Sequence, residues 1–487
     1  MSNNLAYAAP AIVWFRRDLR VGDNPALCAA IATGRPVIAV FVYDEKSPLG
    51  AGGAQRWFLH HALLALGERL GVIGVPLVLR RGDASAMVLE LARQSGARAI
   101  FWNRRYAGAE VEQDKETKAA FAAQGIEAQS FNGSLLREPW DVKTKTGGPY
   151  RVFTPFWNAL RLLGPDRLAA EAPQKKSPAP SVTFQTEALS DLDLLPSRPN
   201  WAREFDDIWP VTEAAAHAAL DRFLAKPVHT YGEDRNRPDL RGTSRLSPYL
   251  AVGMISPVQI WNAATAAMAA RHIPEGEGLK FLSEIAWREF SYHLLYFNAQ
   301  MATQPLRQEF KAFPWREDDN GFDAWTRGQT GVPIVDAGMR ELWRTGWMHN
   351  RVRMIAASFL CKNLLIDWRK GERWFWDTLV DADPASNAAS WQWVAGSGAD
   401  AAPYFRIFNP VTQGEKFDPD GAYVRRYVPE IASLPDEVIH QPWAAPPATL
   451  RQAGVHLGAT YPAPIADLGD TRKRALAAYD EMRAPSL

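Results

Sequence analysis

AIVWF at Ala11–Phe15 and VIAVFVY at Val37–Tyr43 are the stretches on which the fold reading turns. Both are apolar or aromatic at every position. A strand with one wet face alternates; a strand covered on both faces does not. Helical patterns closed by glycine separate these and later strands: Asn24–Thr33 before Gly34, Gln55–Leu70 before Gly71, Ala84–Gln94 before Gly96, Glu110–Gln124 before Gly125. Further strands are expected at Pro76–Leu79, Ala99–Trp102 and Ile126–Phe131. This alternation predicts an α/β fold, a doubly wound parallel-sheet domain over residues 1–135. No G-x-G-x-x-G follows the first strand and no Walker loop occurs, which argues against a standard dinucleotide or triphosphate site there.

The chain has 487 residues, too many for one ordinary core. EAPQKKSPAPS at 171–181 and LLPSRPNW at 194–201 read as linker, so 136–203 is taken as an interdomain connection. From 204 to 487 the pattern is helical, and a large all-helical domain is expected. The formal net charge of +1 excludes a global field for nucleic acid; any such binding must be local. Cys28 and Cys361 stand far apart, which suits a reducing compartment and offers neither a disulfide framework nor a cysteine-rich metal site. MSNNLAYAAP lacks the pattern of a signal peptide. The longest apolar run, Met354–Leu365, is broken by Lys362 and Asn363 and is too short to span a bilayer. The default location is the cytoplasm.

Several constellations carry chemistry, and each has a plainer alternative. Arg16, Arg17 and Arg20 follow the first strand, where α/β sheets take ligands. They suit an anion, or salt bridges around the sheet. In Arg241–Leu250, Ser247 and Pro248 read as N-cap and first helical residue. Hydroxyls, free N–H groups and an arginine there make a phosphate cradle, or simply a capped helix. Glu284 and Arg288 lie four apart beside Trp287, a site or an ordinary i,i+4 ion pair.

Trp343–Pro410 is the densest stretch. Between Arg340 and Arg373, the cations Arg340, Arg344, Arg351, Arg353, Lys362, Arg369, Lys370 and Arg373 meet only Glu341, Asp367 and Glu372 as acids. Trp343, Trp347, Trp368, Trp374, Trp376, Trp391 and Trp393 are interleaved with them. Cations for phosphates and flat faces for bases are what unstacked nucleic acid requires. The alternative is a solvated basic face over an aromatic core. Asp381, Asp383 and Asn387 read as a turn aiming two carboxylates and an amide at one target. With no histidine nearby, a metal is not expected.

At these residues the chain resembles the DNA photolyase/cryptochrome family, and is most similar to bacterial class I cyclobutane pyrimidine dimer photolyases. WFRRDLRVGDNPAL, GTSRLSPYLAVG, EIAWREF, GVPIVDAGMREL, TGWMHNRVRMIAASFLCKNLLIDW and the block Asp381–Lys416 carry the resemblance in order along almost the whole chain. It implies an antenna-binding N-terminal domain and a helical FAD- and DNA-binding catalytic domain. It implies light-driven repair of pyrimidine dimers in damaged DNA by electron transfer from excited reduced FAD to the flipped-out lesion, by a monomer without obligate protein partner. Tyr231, Arg235, Thr243, Ser244, Arg245, Leu246 and Ser247 match the FAD diphosphate and ribityl contacts. Asn350, Arg353, Asp381, Asp383 and Asn387 match contacts around the flavin ring, Asn387 facing N5, and Glu284 and Arg288 join that set. Glu284, Trp287, Asn350, Met354 and Trp393 match positions against the lesion. Trp315, Trp368 and Trp391 match the electron-transfer chain, while Arg351 and Arg406 would grip phosphates. Base flipping is the route such enzymes take to a lesion.

Within the family, six-four photolyases carry His where this chain has Asn350 and Met354, and His349 is the only histidine of that helix. Trp393 and Asn387 favour duplex repair over a signalling cryptochrome; a non-repairing photoreceptor and a six-four photolyase stand as the alternatives. Glu110 matches a glutamate that binds methenyltetrahydrofolate as antenna. Ala109 stands where that pattern has Asn, and a deazaflavin, or no antenna, is the alternative.

Overall fold

The computed structural model describes residues 9–47, 49–181, 184–400 and 405–483. The first eight residues, read above for a signal peptide, and 401–404 of the tryptophan-rich stretch lie outside them. Strands β1 (Ala11–Phe15) and β2 (Val37–Tyr43) are buried at every residue, the consequence of helices on both faces. Between them runs α1 (Pro25–Ala32), whose Asn24 cap accepts from Leu27 N–H. Then follow α2 (Gly53–Val72), β3 (Leu77–Arg81), α3 (Ala84–Ser95), β4 (Ala99–Asn103), α4 (Gly108–Ala123) and β5 (Glu127–Phe131). The sheet order is β3-β2-β1-β4-β5, with every pair parallel. Val13 sits between Ala39 of β2 and Phe101 of β4.

The winding reverses between β1 and β4, and their carboxyl ends are tied together. Asn103 at the end of β4 donates to Asp18 Oδ2 at 2.6 Å, and Arg16 donates to Asp114 at 2.9 Å. Arg17 grips Glu110 with one nitrogen on both oxygens, at 2.6 and 2.7 Å. Arg20 donates to the backbone oxygens of Asp23, Gly133 and Gly253. The three arginines therefore serve as the sheet's own ties. Helix α2 continues through Gly71, the expected stop; Gly74, at φ 73°, makes the turn instead. At Gly96, φ 65° closes α3 as its sequence predicts.

The linker-like region is more ordered than its composition suggests. It contains α5 (Phe153–Leu163), which buries Phe153, Phe156 and Leu160, a helical stripe that proline-based reading overlooks. The Pro-rich part meets the start of β2, and the residues after it run along edge strand β3. Ser177 Oγ accepts from Val37 N–H, and Leu79 both donates to Thr186 and accepts from Glu187. Covering an edge strand satisfies groups that would otherwise pair with another chain.

Two compact units emerge. One comprises residues up to Lys226 with Ser244–Ala299 and Val380–Pro384; the other comprises Pro227–Thr243, Gln300–Leu379 and Ala385 onward. The first adds α6 (Ser247–Val252) and α7 (Glu275–Phe297) to the sheet. The second is helical and holds α8 (Asn350–Ser358), α9 (Trp368–Thr378) and α10 (Ser386–Ala395). A π-helical turn, Phe359–Asn363, extends α8. Among the described residues no helix is long and apolar enough to cross a membrane.

His293 on α7 offers a check of this packing. Its Nε2 accepts from Tyr150 N–H at 2.9 Å, and Nδ1 lies 3.1 Å from Pro139 O. An amide only donates and a carbonyl only accepts, so the ring is neutral with its proton on Nδ1. Burial pushes its pKa down to about 4. The unfolded chain takes up this proton near pH 6.5, so the site's contribution to stability is complete above that pH and is lost as the pH falls toward 4. The His293 ring resonances in an NMR titration are expected to stay unchanged from pH 8 to about pH 5; a titration near 6.5 would contradict the packing.

Candidate flavin and nucleic-acid site

The segment Gly242–Ser247 is shaped by its backbone. A Cβ on Gly242 would meet Asp234 O at 2.7 Å, so only glycine fits. Arg245 adopts φ 53°, a conformation that costs a non-glycine residue energy and is characteristic of functional sites. Its guanidinium lies 4.9 Å over the Trp209 ring. Ser247 is not the N-cap: Leu246 holds that position, without a side-chain bond, and Ser247 is the first residue of α6. The physical reason is that Leu246 is already right-handed at φ −84° and ψ −11°, so the reversal occurs one residue earlier, at Arg245.

In the first unit α7 presents Trp287 and Arg288 one turn after Glu284. The expected partnership of Glu284 with Arg288 is replaced. Lys280 Nζ lies 3.7 Å from Glu284, while Arg288 donates to Ser134 O at 2.8 Å. Trp287 lies face to face with Phe153, ring centroids 3.7 Å apart at 8°, so its orientation is fixed from behind. Tyr292, one turn beyond Arg288, donates to Asp383 at 2.6 Å. Asp383, Arg17 and Arg288 surround that phenol in a charge cluster. Tyr292 escaped the sequence reading although its i+4 spacing from Arg288 was visible. Asp381 and Asp383 are both buried in the turn that the sequence suggested.

In the second unit Tyr231 and Arg235 come together, the guanidinium 5.5 Å from the ring. His349 stands before α8 as its cap, accepting from Arg351 N–H at 3.2 Å, rather than within the helix. Buried Glu341 accepts from His349 N–H and from the Tyr423 hydroxyl, and so anchors the approach to Asn350. Burial, with Arg351, Arg353 and Arg235 nearby, pushes the His349 pKa down to about 3. The neutral ring then carries its proton on Nε2, because Nδ1 is an acceptor. Asn350 is exposed at the first position of α8, with Met354 one turn on and 4.0 Å from the Asn350 amide. Arg353 donates to Met348 O at 2.7 Å, and Arg351 to Asn236 at 2.6 Å. Arg406 is exposed.

On α10, Asn387 is buried and donates into Glu372 of α9, a residue the sequence reading passed over. Trp391 packs where Gly371 has no side chain. Trp368 and Trp391 are each 2 % exposed, whereas Trp315 is half-buried against Phe313. Trp325, also overlooked, meets Trp391 edge-on at 6.1 Å and donates to Ala356 O. Trp393 donates to Asp400 O at 3.2 Å and is half-buried. Trp343 and Trp374 stack on each other at 6.3 Å.

Glu110 is 4 % exposed and committed to Arg17. It lines a cavity of about 500 Å³ with Asp44, Lys46, Arg81, Asp83 and Gln113.

The donor set fits an anionic flavin dinucleotide. His349 Nε2 and Arg351 Nε are buried without an acceptor among the described residues, two donors that an anionic group would satisfy. Residues 11–179 match the family described as DNA photolyase, and residues 281–481 match the FAD binding domain of DNA photolyase. The deoxyribodipyrimidine photo-lyase of Agrobacterium fabrum is 54 % identical over 97 % of this chain and 98 % of its own. Cryptochrome-1 of Arabidopsis thaliana is 38 % identical over 97 % of this chain and 70 % of its own. The solved structure of a bacterial class III photolyase from Agrobacterium tumefaciens superposes with a TM-score of 0.94, at 52 % identity and 99 % coverage of both chains. That neighbour belongs to class III, so the expected likeness to class I is corrected at the level of class and kept at the level of family. The chain, with its five-stranded parallel sheet and FAD-binding helical region, belongs to the DNA photolyase family.

Proposed function

We propose that this protein repairs cyclobutane pyrimidine dimers in DNA under blue light. Residues 1–135 would form the antenna-bearing part, 136–203 the connection, and 204–487 the part that holds FAD and DNA. The observation that carries the reading is on α7, where Glu284 stands one turn from an indole held flat by Phe153. A carboxyl can accept or donate at a pyrimidine edge, and a fixed aromatic face walls a flipped base. Met354, unbranched and polarisable, adapts to a puckered ring beside Asn350, and Trp393 completes the lesion set. Arg351 and Arg406 take phosphates without reading sequence.

FAD would be held by Tyr231, Arg235, Thr243, Ser244, Arg245, Leu246 and Ser247 at its phosphates and ribityl chain. Glu284, Arg288, Asn350, Arg353, Asp381, Asp383 and Asn387 would surround its ring. When bound and reduced, the flavin supplies the excited electron donor. The protein orients the lesion, excludes water and balances charge. Trp391, Trp368 and Trp315 run from burial to partial exposure, as a relay of oxidisable indoles requires. Glu110 and its cavity would serve an antenna, methenyltetrahydrofolate or a deazaflavin. A photoreceptor role is the second reading, favoured by the 38 % identity to a cryptochrome.

Purified, reduced protein under blue light is expected to clear thymine dimers from duplex DNA; dimers left intact would leave the photoreceptor reading. Trp391→Phe should abolish light-driven reduction of oxidised flavin and spare repair by protein already reduced, read by flash absorption. Undiminished photoreduction would place the relay elsewhere. Glu284→Ala should slow repair of bound lesion about 10–100-fold, the worth of one hydrogen bond to a charged group, with FAD retained. Loss of FAD on purification would count against the lesion contact and leave Glu284 a cofactor residue alone.

A further inference from the structure

Asn387, placed beside the flavin ring in the preceding reading, has an amide whose two ends are not interchangeable. Its Nδ2 donates to the backbone oxygen of Glu372 at 3.1 Å and to Glu372 Oε1 at 2.8 Å. A peptide oxygen can only accept, so the nitrogen end is assigned toward α9. The opposite end, Oδ1, accepts no hydrogen bond from the described residues. One residue of the neighbouring helix thus supplies both anchors.

Glu372 has little else to do. It makes no ion pair among the described residues. The other charged groups nearby in the chain are committed elsewhere. Arg369 bonds Asp367, Lys370 pairs with Glu317 and Asp319, and Lys362 of the π-turn packed on α9 donates to Ala395 O. Arg373, its neighbour on α9, acts on it only through space. Burial pushes the carboxyl up to about 7, against the pull of the Asn387 bond and of Arg373. An unpaired carboxyl on a buried amide is therefore poised to change charge near neutrality.

We propose that Glu372 is a positioning residue that selects which end of the Asn387 amide meets the flavin ring, and that protonation of Glu372 relaxes this selection. This rests on the placement of Asn387 at the ring. Ionised, the carboxylate accepts only and holds Nδ2, leaving Oδ1 for the ring. A proton taken from solvent onto Glu372 turns the carboxyl into a donor that matches Oδ1 as well as Nδ2. The Nδ2 bond to the Glu372 peptide oxygen does not titrate, so protonation removes only the carboxylate's share of the hold, and a reversal of the amide would break that remaining bond. The flavin then meets an amide oxygen at higher pH and a less determined partner at lower pH.

The test uses the flavin-loaded protein and its Glu372→Gln and Glu372→Leu variants. In the wild type, dark reoxidation of reduced flavin by dissolved oxygen should vary with pH between about 6 and 8. Glu372→Gln keeps an acceptor but cannot titrate, so it should retain FAD and give a flat profile. Glu372→Leu should change the rate about tenfold at pH 8, the worth of one charge-assisted hydrogen bond. Infrared spectra give a readout on the chain itself. A protonated-carboxyl band should grow as the pH falls, be absent in Glu372→Gln, and appear at higher pH in Asn387→Ala, which lacks the stabilising amide. A wild-type pH profile in flavin-loaded Glu372→Gln, or an unmoved band in Asn387→Ala, overturns the proposal alone. A chain that binds no flavin overturns the preceding reading, and the ring contact proposed here with it.

Discussion

The close approach of Trp391 to Gly371 is the constraint on which the helical unit depends. A Cβ at position 371 would lie 2.2 Å from the indole Cη2, far inside contact distance. The absence of a side chain lets α9 and α10 come together with an indole between them. Everything proposed for these helices follows from that spacing. Trp368 lies on α9 three residues before Gly371, hence on the same helical face. Glu372 follows Gly371 and reaches Asn387 across the same gap. At the far end, buried Lys362 donates to Ala395 O, where α10 presents unsatisfied carbonyls and negative dipole. That contact also explains the π-turn, which lets the chain place a lysine inward after α8 has ended.

In the sheet-containing unit the governing term is charge satisfaction. Arginines at the carboxyl ends of β1 and β4 meet Asp114, Glu110 and Glu138, largely out of water. Breaking one partner of such a pair leaves an uncompensated buried charge, which costs several kcal/mol. The position at which many α/β sheets bind a ligand is here lined by the protein's own ions, which leave a cavity of only about 110 Å³ among Arg16, Arg17, Tyr43 and Arg105. The larger cavity lies to one side, lined by Glu110 but also by residues of β3 and α4. On α7 the same logic extends through Arg288 to Tyr292 and Asp383, joining sheet and helix chemistry within one unit.

Much of this was legible in the chain. The apolar strands β1 and β2 were read to their end residues, because burial on both faces leaves no alternation to mistake. Helix α5 was missed because the prolines and lysines that follow it dominate the composition, while its stripe of Phe153, Phe156 and Leu160 is short. The turn at Asp381–Asp383 was legible from two aspartates followed by a proline. Glu372 was not, since a lone glutamate in a basic helix carries no pattern. Its meaning comes from Asn387, fifteen residues later.

By itself the sequence determined the fold class, the family and the residue types available to the site. Periodicity, glycine stops and long motifs are local properties, and local properties survive in a linear string. Only the tertiary structure decided which charges are committed and which remain for chemistry. Arg17 is held by Glu110, Arg288 turns to Ser134, and the Asn387 amide is oriented by Glu372. The strained residue of the Gly242–Ser247 turn is Arg245 rather than the serine that spacing suggested. Hydrogen bonds and ion pairs act over a few ångströms between residues far apart in sequence, so their partners are fixed only when the chain has folded.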